Sequence, residues 1–185
     1  VVCIHCPFEI GKLDGYCIAL ARVAVPIFFM ITGYFYTDVK KEGRRISQLK
    51  KIIVLTIMAN TLYAVWNSML IILSGDDLIS YWDERLSLNC LLKFLVLNES
   101  PFASHLWYLS ALIYVLVIVY VLDLLQFRKI LYFIFPFFLI GDLILGKYSL
   151  FLFGYEFSYI LVRNFIFVGI PYFTIGMLIR KSREK

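Results

Sequence analysis

Arg22-Val23-Ala24-Val25-Pro26-Ile27-Phe28-Phe29-Met30-Ile31-Thr32-Gly33-Tyr34 carries a charge at its first residue and none after it. It forms most of a longer apolar run, Tyr16–Tyr36. At ~1.5 Å of rise per residue such a run crosses the ~30 Å of hydrocarbon in a bilayer. The reading extends outward from there, because four more runs have the same character: Ile52–Leu73, His105–Leu125, Ile130–Leu145 and Arg163–Ile179. Val1–Phe8 is apolar but too short to cross, and is expected to be the outer half of a helix that begins upstream. The chain is 62% hydrophobic and its mean hydropathy is +0.84. The expected fold is therefore all-α, a polytopic transmembrane helix bundle of about five full spans plus a partial first helix. Residues 1–185 are expected to form one integral membrane domain.

The net charge is +5, yet a nucleic-acid partner does not fit. The positive charges lie at the ends of apolar runs and not along one polar face. Lys40, Lys41, Arg44, Arg45, Lys50, Lys51, Arg128, Lys129, Arg180, Lys181, Arg183 and Lys185 fall in three segments, Thr37–Lys51, Gln126–Lys129 and the tail from Arg180. The positive-inside rule makes these segments cytoplasmic. His5, Arg22, His105 and Arg163 then all face the outer side. Ionisable residues in or near hydrocarbon are costly and mark function by default. The long connector Ser74–Ser104 is also on the outer side. Its Leu88–Leu97 stretch is too short to cross and is expected to lie at the interface or re-enter.

Two helix faces stand out. Arg22, Pro26, Phe29 and Gly33 share one face of the first full span. Thr56, Asn60, Tyr63 and Asn67 make a polar stripe on the next. Such a stripe is either interhelical hydrogen-bond glue or the lining of a wet cavity. His105-Leu106-Trp107-Tyr108 reads equally as part of a site or as an interfacial aromatic belt. Imidazole is the natural side-chain proton acceptor for a hydroxyl at neutral pH. Asp123 and Asp142, near span ends, can pair with neighbouring basic residues. The four cysteines, Cys3, Cys6, Cys17 and Cys90, fit no disulfide framework. Cys3-Ile4-His5-Cys6 lacks a second ligand pair at suitable spacing, so no metal is expected.

Val1-Val2-Cys3-Ile4-His5, the Arg22–Tyr34 stretch quoted above, His105-Leu106-Trp107-Tyr108-Leu109 and Arg163-Asn164-Phe165-Ile166-Phe167 together resemble the acyltransferase family 3 membrane proteins. The second stretch is the most specific, with arginine, proline, two phenylalanines and glycine in register. Within the family, the His-Leu-Trp-Tyr run, the Arg163-Asn164 start and the ending Leu178–Lys185 look like the membrane half of membrane-bound serine racemases of vancomycin-resistance clusters. The resemblance implies a bacterial cytoplasmic-membrane enzyme with a bundle of about ten helices, of which these spans would be part. It implies transfer of an acyl group, usually acetyl, from cytoplasmic acyl-CoA to a hydroxyl on an outer-face acceptor such as a cell-envelope glycan. On that resemblance His5 is the base or acyl relay. Arg22 stabilises developing charge or holds the acyl carbonyl. His105, Trp107, Arg163, Asn164 and Asn60 bind the acceptor, and Arg44, Arg45, Lys50 and Lys51 meet the CoA phosphates. Two other readings remain open: a transport module for serine or another small amino acid, with Arg22 holding the carboxylate, and an inactive, truncated membrane module.

Overall fold

A computed structural model describes residues 12–38 and 42–183, with side chains described for residues 23–37, 43–146, 148–158 and 161–183. Within those residues the chain is entirely helical in its regular structure. The long elements are α1 (Lys12–Asp38), α2 (Glu42–Ser74), α5 (Trp107–Leu124), α6 (Lys129–Asp142) and α9 (Ile170–Arg183). Short helices α3 (Leu78–Arg85) and α4 (Leu88–Leu97) join α2 to α5, and α7 (Ser149–Phe153) and α8 (Tyr159–Val162) lie between α6 and α9. Single π-helical turns at Leu143–Lys147 and Phe165–Gly169 extend α6 and precede α9.

Among the described residues, four helical segments are long and apolar enough to cross a membrane: Gly43–Ser74, Ser104–Leu124, Lys129–Gly146 and Phe165–Arg183. The protein is thus a multi-pass integral membrane protein. The expected Tyr16–Tyr36 span falls inside the 27-residue helix α1, which runs on through Pro26. One boundary differs from the sequence reading. Thr37–Lys51, expected to be a connector, is already helical from Glu42, so Arg44, Arg45, Lys50 and Lys51 ride on the first turns of α2. Arginine and lysine are good helix formers, so the helix continues past the end of its apolar run.

The core forms where α1, α5, α6 and α9 meet. Phe29, Tyr36, Trp107, Leu112, Val115, Leu131, Phe173 and Met177 pack there. The closest pairing is α1 with α9, and its cause is two glycines. A Cβ on Gly33 would overlap the carbonyl oxygen of Phe173, and one on Gly176 would overlap the carbonyl oxygen of Met30. The two backbones therefore touch, as small residues permit between helices in a membrane. Gly169 lets Val115 and Phe29 close over the π turn in the same way.

The peripheral elements are α2 and α6. Only 11% of the α2 span window and 6% of the α6 window are buried, against 50% for the α5 window. Leu62, Trp66, Phe133 and Phe137 point outward, an apolar exterior suited to hydrocarbon contact. Among the described residues, two non-glycine residues take positive φ and end helices. Asn98 (φ 62) closes α4 and donates its N–H to Lys93, while Gln126 (φ 61) turns the chain from α5 to α6.

Candidate functional site

Polar groups gather at the two ends of this bundle. At one end lie the C-termini of α1, α5 and α9 and the N-termini of α2 and α6. Asp123, at the end of α5, is the hub. Its carboxylate pairs with Arg45 at 2.9 Å and with Arg128 at 3.4 Å, and accepts the Tyr36 hydroxyl at 3.2 Å. The Arg45 guanidinium also lies 5.0 Å above the Tyr36 ring. Beside it, Arg180 and Arg183 both donate to the Tyr34 hydroxyl, at 3.3 and 3.4 Å. Lys181 lies 5.1 Å above the Tyr132 ring. Cations from three separate basic segments thus converge at one depth.

The opposite end is aromatic and amide-rich. His105 packs edge-on against Tyr63, with ring centroids 4.8 Å apart. The Arg163 guanidinium lies 5.4 Å above the indole of Trp107, which is buried in the core. The segment 98–103 is tied down onto α2. The Ser100 hydroxyl donates to Asn60 Oδ1 at 2.6 Å and accepts from the backbone N–H groups of Phe102 and Ala103. Asn67 donates to the Phe102 carbonyl and the Tyr81 hydroxyl. The Thr56–Asn67 stripe therefore acts mainly as glue. Thr56 donates to its own helix at Ile52, Asn60 donates to Thr56, and Asn60 and Asn67 hold the outer connector.

Among the expected site residues, Arg163 and Trp107 come together, and His105 packs on Tyr63 of the polar stripe. Asn164 serves the backbone. Its Oδ1 accepts from the N–H groups of Ile166 and Phe167 and its Nδ2 donates to Leu161, so it caps the π turn that leads into α9. Asn60 is held by Ser100. The four cations expected on one CoA site divide. Arg45 turns inward to Asp123, whereas Arg44, Lys50 and Lys51 are exposed. Arg44 and Lys51, seven residues apart, share one face of α2. His5 lies outside the described residues. Arg22 is in the helical backbone of α1 with its side chain outside them.

The Tyr34–Arg180–Arg183 cluster is absent from the sequence reading. Arg180 and Arg183 counted there only toward topology, since nothing local pairs the end of α9 with α1. Asn98 and Ser100 were also unmarked, being ordinary polar residues of a long connector. Among the described residues no group of three or more His, Cys, Asp or Glu side chains could hold a metal.

The acyltransferase-domain profile of acyltransferase family 3 matches residues 1–185. No curated protein and no solved structure matches.

Proposed function

The chain belongs to acyltransferase family 3, and from that membership we propose that it moves an acyl group, acetyl in the simplest case, from cytoplasmic acyl-CoA to a hydroxyl on an outer-face envelope glycan. The observation that carries the reading is the division of polar groups within one bundle. Cations crowd one end, and a histidine, an arginine and aromatic rings occupy the other. A donor with phosphates and an acceptor with hydroxyls need these opposite chemistries.

The positive-inside rule puts the cationic end in the cytoplasm. There Arg44 and Lys51 meet the CoA phosphates, with Lys50 nearby and Arg45 held in reserve by Asp123. Arginine can grip a phosphate with two parallel hydrogen bonds, and lysine acts as a point charge. At the outer end His5 takes the proton of the acceptor hydroxyl as general base. The freed oxygen attacks the thioester carbonyl, and Arg22 stabilises the negative charge that develops. The carbon–sulfur bond then breaks, and the CoA thiolate leaves and takes up a proton. Arg163 presents its cation to the acceptor, and the buried Trp107 ring beneath it holds the guanidinium in place. His105 and Tyr63 shape the mouth beside them, and Asn60 and Asn164 hold the surrounding backbone.

The likeness of His105–Leu109 and Leu178–Lys185 to the membrane halves of serine racemases keeps serine among the acceptors worth assaying, since it too offers a hydroxyl. A transport path along α2 has less support. Asn60 and Asn67 spend their hydrogen bonds on Ser100, Tyr81 and Phe102, which leaves little of the stripe to line water. The test is acyl incorporation into envelope material from labelled acetyl-CoA by Arg163→Ala. Weaker acceptor use with unchanged acetyl-CoA dependence supports the assignment, and unchanged kinetics for both substrates contradicts it.

A further inference from the structure

Two arginines of α9 are held against α1 at the cationic end of the bundle. Arg180 and Arg183 lie three residues apart on one face of α9. Each donates from Nη1 to the Tyr34 hydroxyl, at 3.3 and 3.4 Å. The Arg180 guanidinium also lies 5.3 Å above the Tyr34 ring. Lys181, between them, turns the other way onto Tyr132 of α6. Two like charges so close on one helix repel each other, and a hydroxyl orients them without bringing a counter-charge. The neighbouring hub is built differently, since Asp123 neutralises Arg45 and Arg128 there. Among the described residues Arg183 bonds to Tyr34 and pairs with no carboxylate. Arg183 is exposed, and Arg180 and Tyr34 are partly so, which leaves the cluster within reach of a solute.

The spacing selects an anion with several oxygens. Both guanidiniums reach one hydroxyl oxygen, so their Nη1 atoms are ~7 Å apart or less. Charge-assisted bonds of ~2.7–2.9 Å from such a pair meet different oxygens of one phosphate or diphosphate. Depth then narrows the source. Arg22 precedes Tyr34 by twelve residues of the continuous helix α1, or ~18 Å of rise. The pantetheine arm of CoA, extended at the ~1.2 Å per bond of a peptide chain, spans roughly 15 Å from diphosphate to sulfur. A diphosphate at the cluster therefore puts the thioester within one helical turn of the depth of Arg22. A lipid phosphate gains nothing from that match. CoA also carries two separate phosphate groups, a diphosphate and a ribose monophosphate, so Arg44 and Lys51 leave one of them to be held elsewhere.

We propose that Arg180, Arg183 and Tyr34 form a phosphate site and, resting on the acyl-transfer reading above, that it holds the diphosphate of the acyl-CoA donor. The two guanidiniums bind the phosphates. Tyr34 is a positioning residue that keeps them together, and Arg44 and Lys51 take the ribose phosphate.

The test uses the full-length protein in nanodiscs and compares acetyl-CoA, its 3′-dephospho form and S-acetylpantetheine as donors. In Arg183→Gln, KM should rise about tenfold for the two donors that carry the diphosphate. In Arg180→Gln/Arg183→Gln it should rise further, and Tyr34→Phe should fall between wild type and Arg183→Gln. Use of S-acetylpantetheine should stay within twofold throughout. Arg183→Lys should recover part of the loss, and Lys181→Gln, which removes the same charge outside the cluster, should change KM less than twofold. An equal loss for all three donors, or a Lys181→Gln effect as large as that of Arg183→Gln, overturns the site. A second arm measures CoA binding by equilibrium dialysis, without any acceptor. Binding that weakens about tenfold in Arg183→Gln, in a protein that transfers no acetyl, supports the site and counts against the acyl-transfer reading. Acetyl transfer with unchanged CoA affinity in every variant overturns the site and leaves that reading standing. A third arm follows phosphatidylglycerol retained by the protein in native mass spectrometry. Lipid lost from Arg180→Gln/Arg183→Gln with CoA binding unaltered makes the phosphate a lipid headgroup and overturns the donor assignment.

Discussion

Ser110 lies inside α5 with a buried hydroxyl that has no hydrogen-bond partner. Such a group costs about 1–3 kcal/mol. Ser110→Ala is therefore expected to raise the unfolding midpoint in detergent by an amount equivalent to about 1 kcal/mol, and a lower midpoint would mean that the hydroxyl is held by water. Asp123 is the opposite case, a carboxylate shared by Arg45, Arg128 and Tyr36 with little exposure of its own. Asp123→Asn leaves the half-buried Arg45 without its counter-charge, which is expected to cost about 2–3 kcal/mol. Adding Arg45→Gln should recover part of the loss in a double-mutant cycle, and strict additivity would show that the two do not interact. At this scale the sequence was partly legible. Pairing of Asp123 with a neighbouring cation could be read from Arg128, five residues on. The stronger partner, Arg45, could not, because nothing local places the start of α2 against the end of α5.

Among the elements, α1 and α9 depend on Gly33 and Gly176, where the helices meet backbone to backbone. Gly33→Val and Gly176→Val are each expected to destabilise by about 2–3 kcal/mol, since a backbone neighbour cannot yield as a side chain can. Gly43, in α2 with open space around its α-carbon, is the matched control. Gly43→Ala should be neutral or stabilise by up to about 1 kcal/mol. Equal thermal unfolding of Gly33→Val and Gly43→Ala would remove the glycine contact as the reason for the pairing. The spans themselves were legible, because ~20 apolar residues leave a chain few alternatives. The start of α2 was misread because the end of an apolar run was taken as the end of a helix. The π turns at Leu143–Lys147 and Phe165–Gly169 carry no signal in hydrophobic periodicity. The second is visible only through what Asn164 caps.

At the scale of the whole molecule, the bundle separates two chemistries along its length. Arginines and lysines from three basic segments collect at one end. Tyr63, His105, Trp107 and Arg163 collect at the other. The sequence anticipated this polarity, because the positive-inside rule sorts loops without needing to know how helices pack. It did not anticipate which helices are central. The near-uniform apolarity of α5 and α6 hides the fact that one is half buried and the other almost bare. That bareness suits contact with lipid. The proposed acyl transfer depends on His5 acting as base at the outer end. The most direct measurement follows labelled acetyl from acetyl-CoA into envelope acceptor, using membranes that hold the full-length protein or its His5→Ala variant at equal abundance. Incorporation should fall at least about 100-fold in the variant, the scale of a lost general base. Incorporation equal to wild type would contradict the assignment of His5 and, with it, the mechanism proposed for this family member.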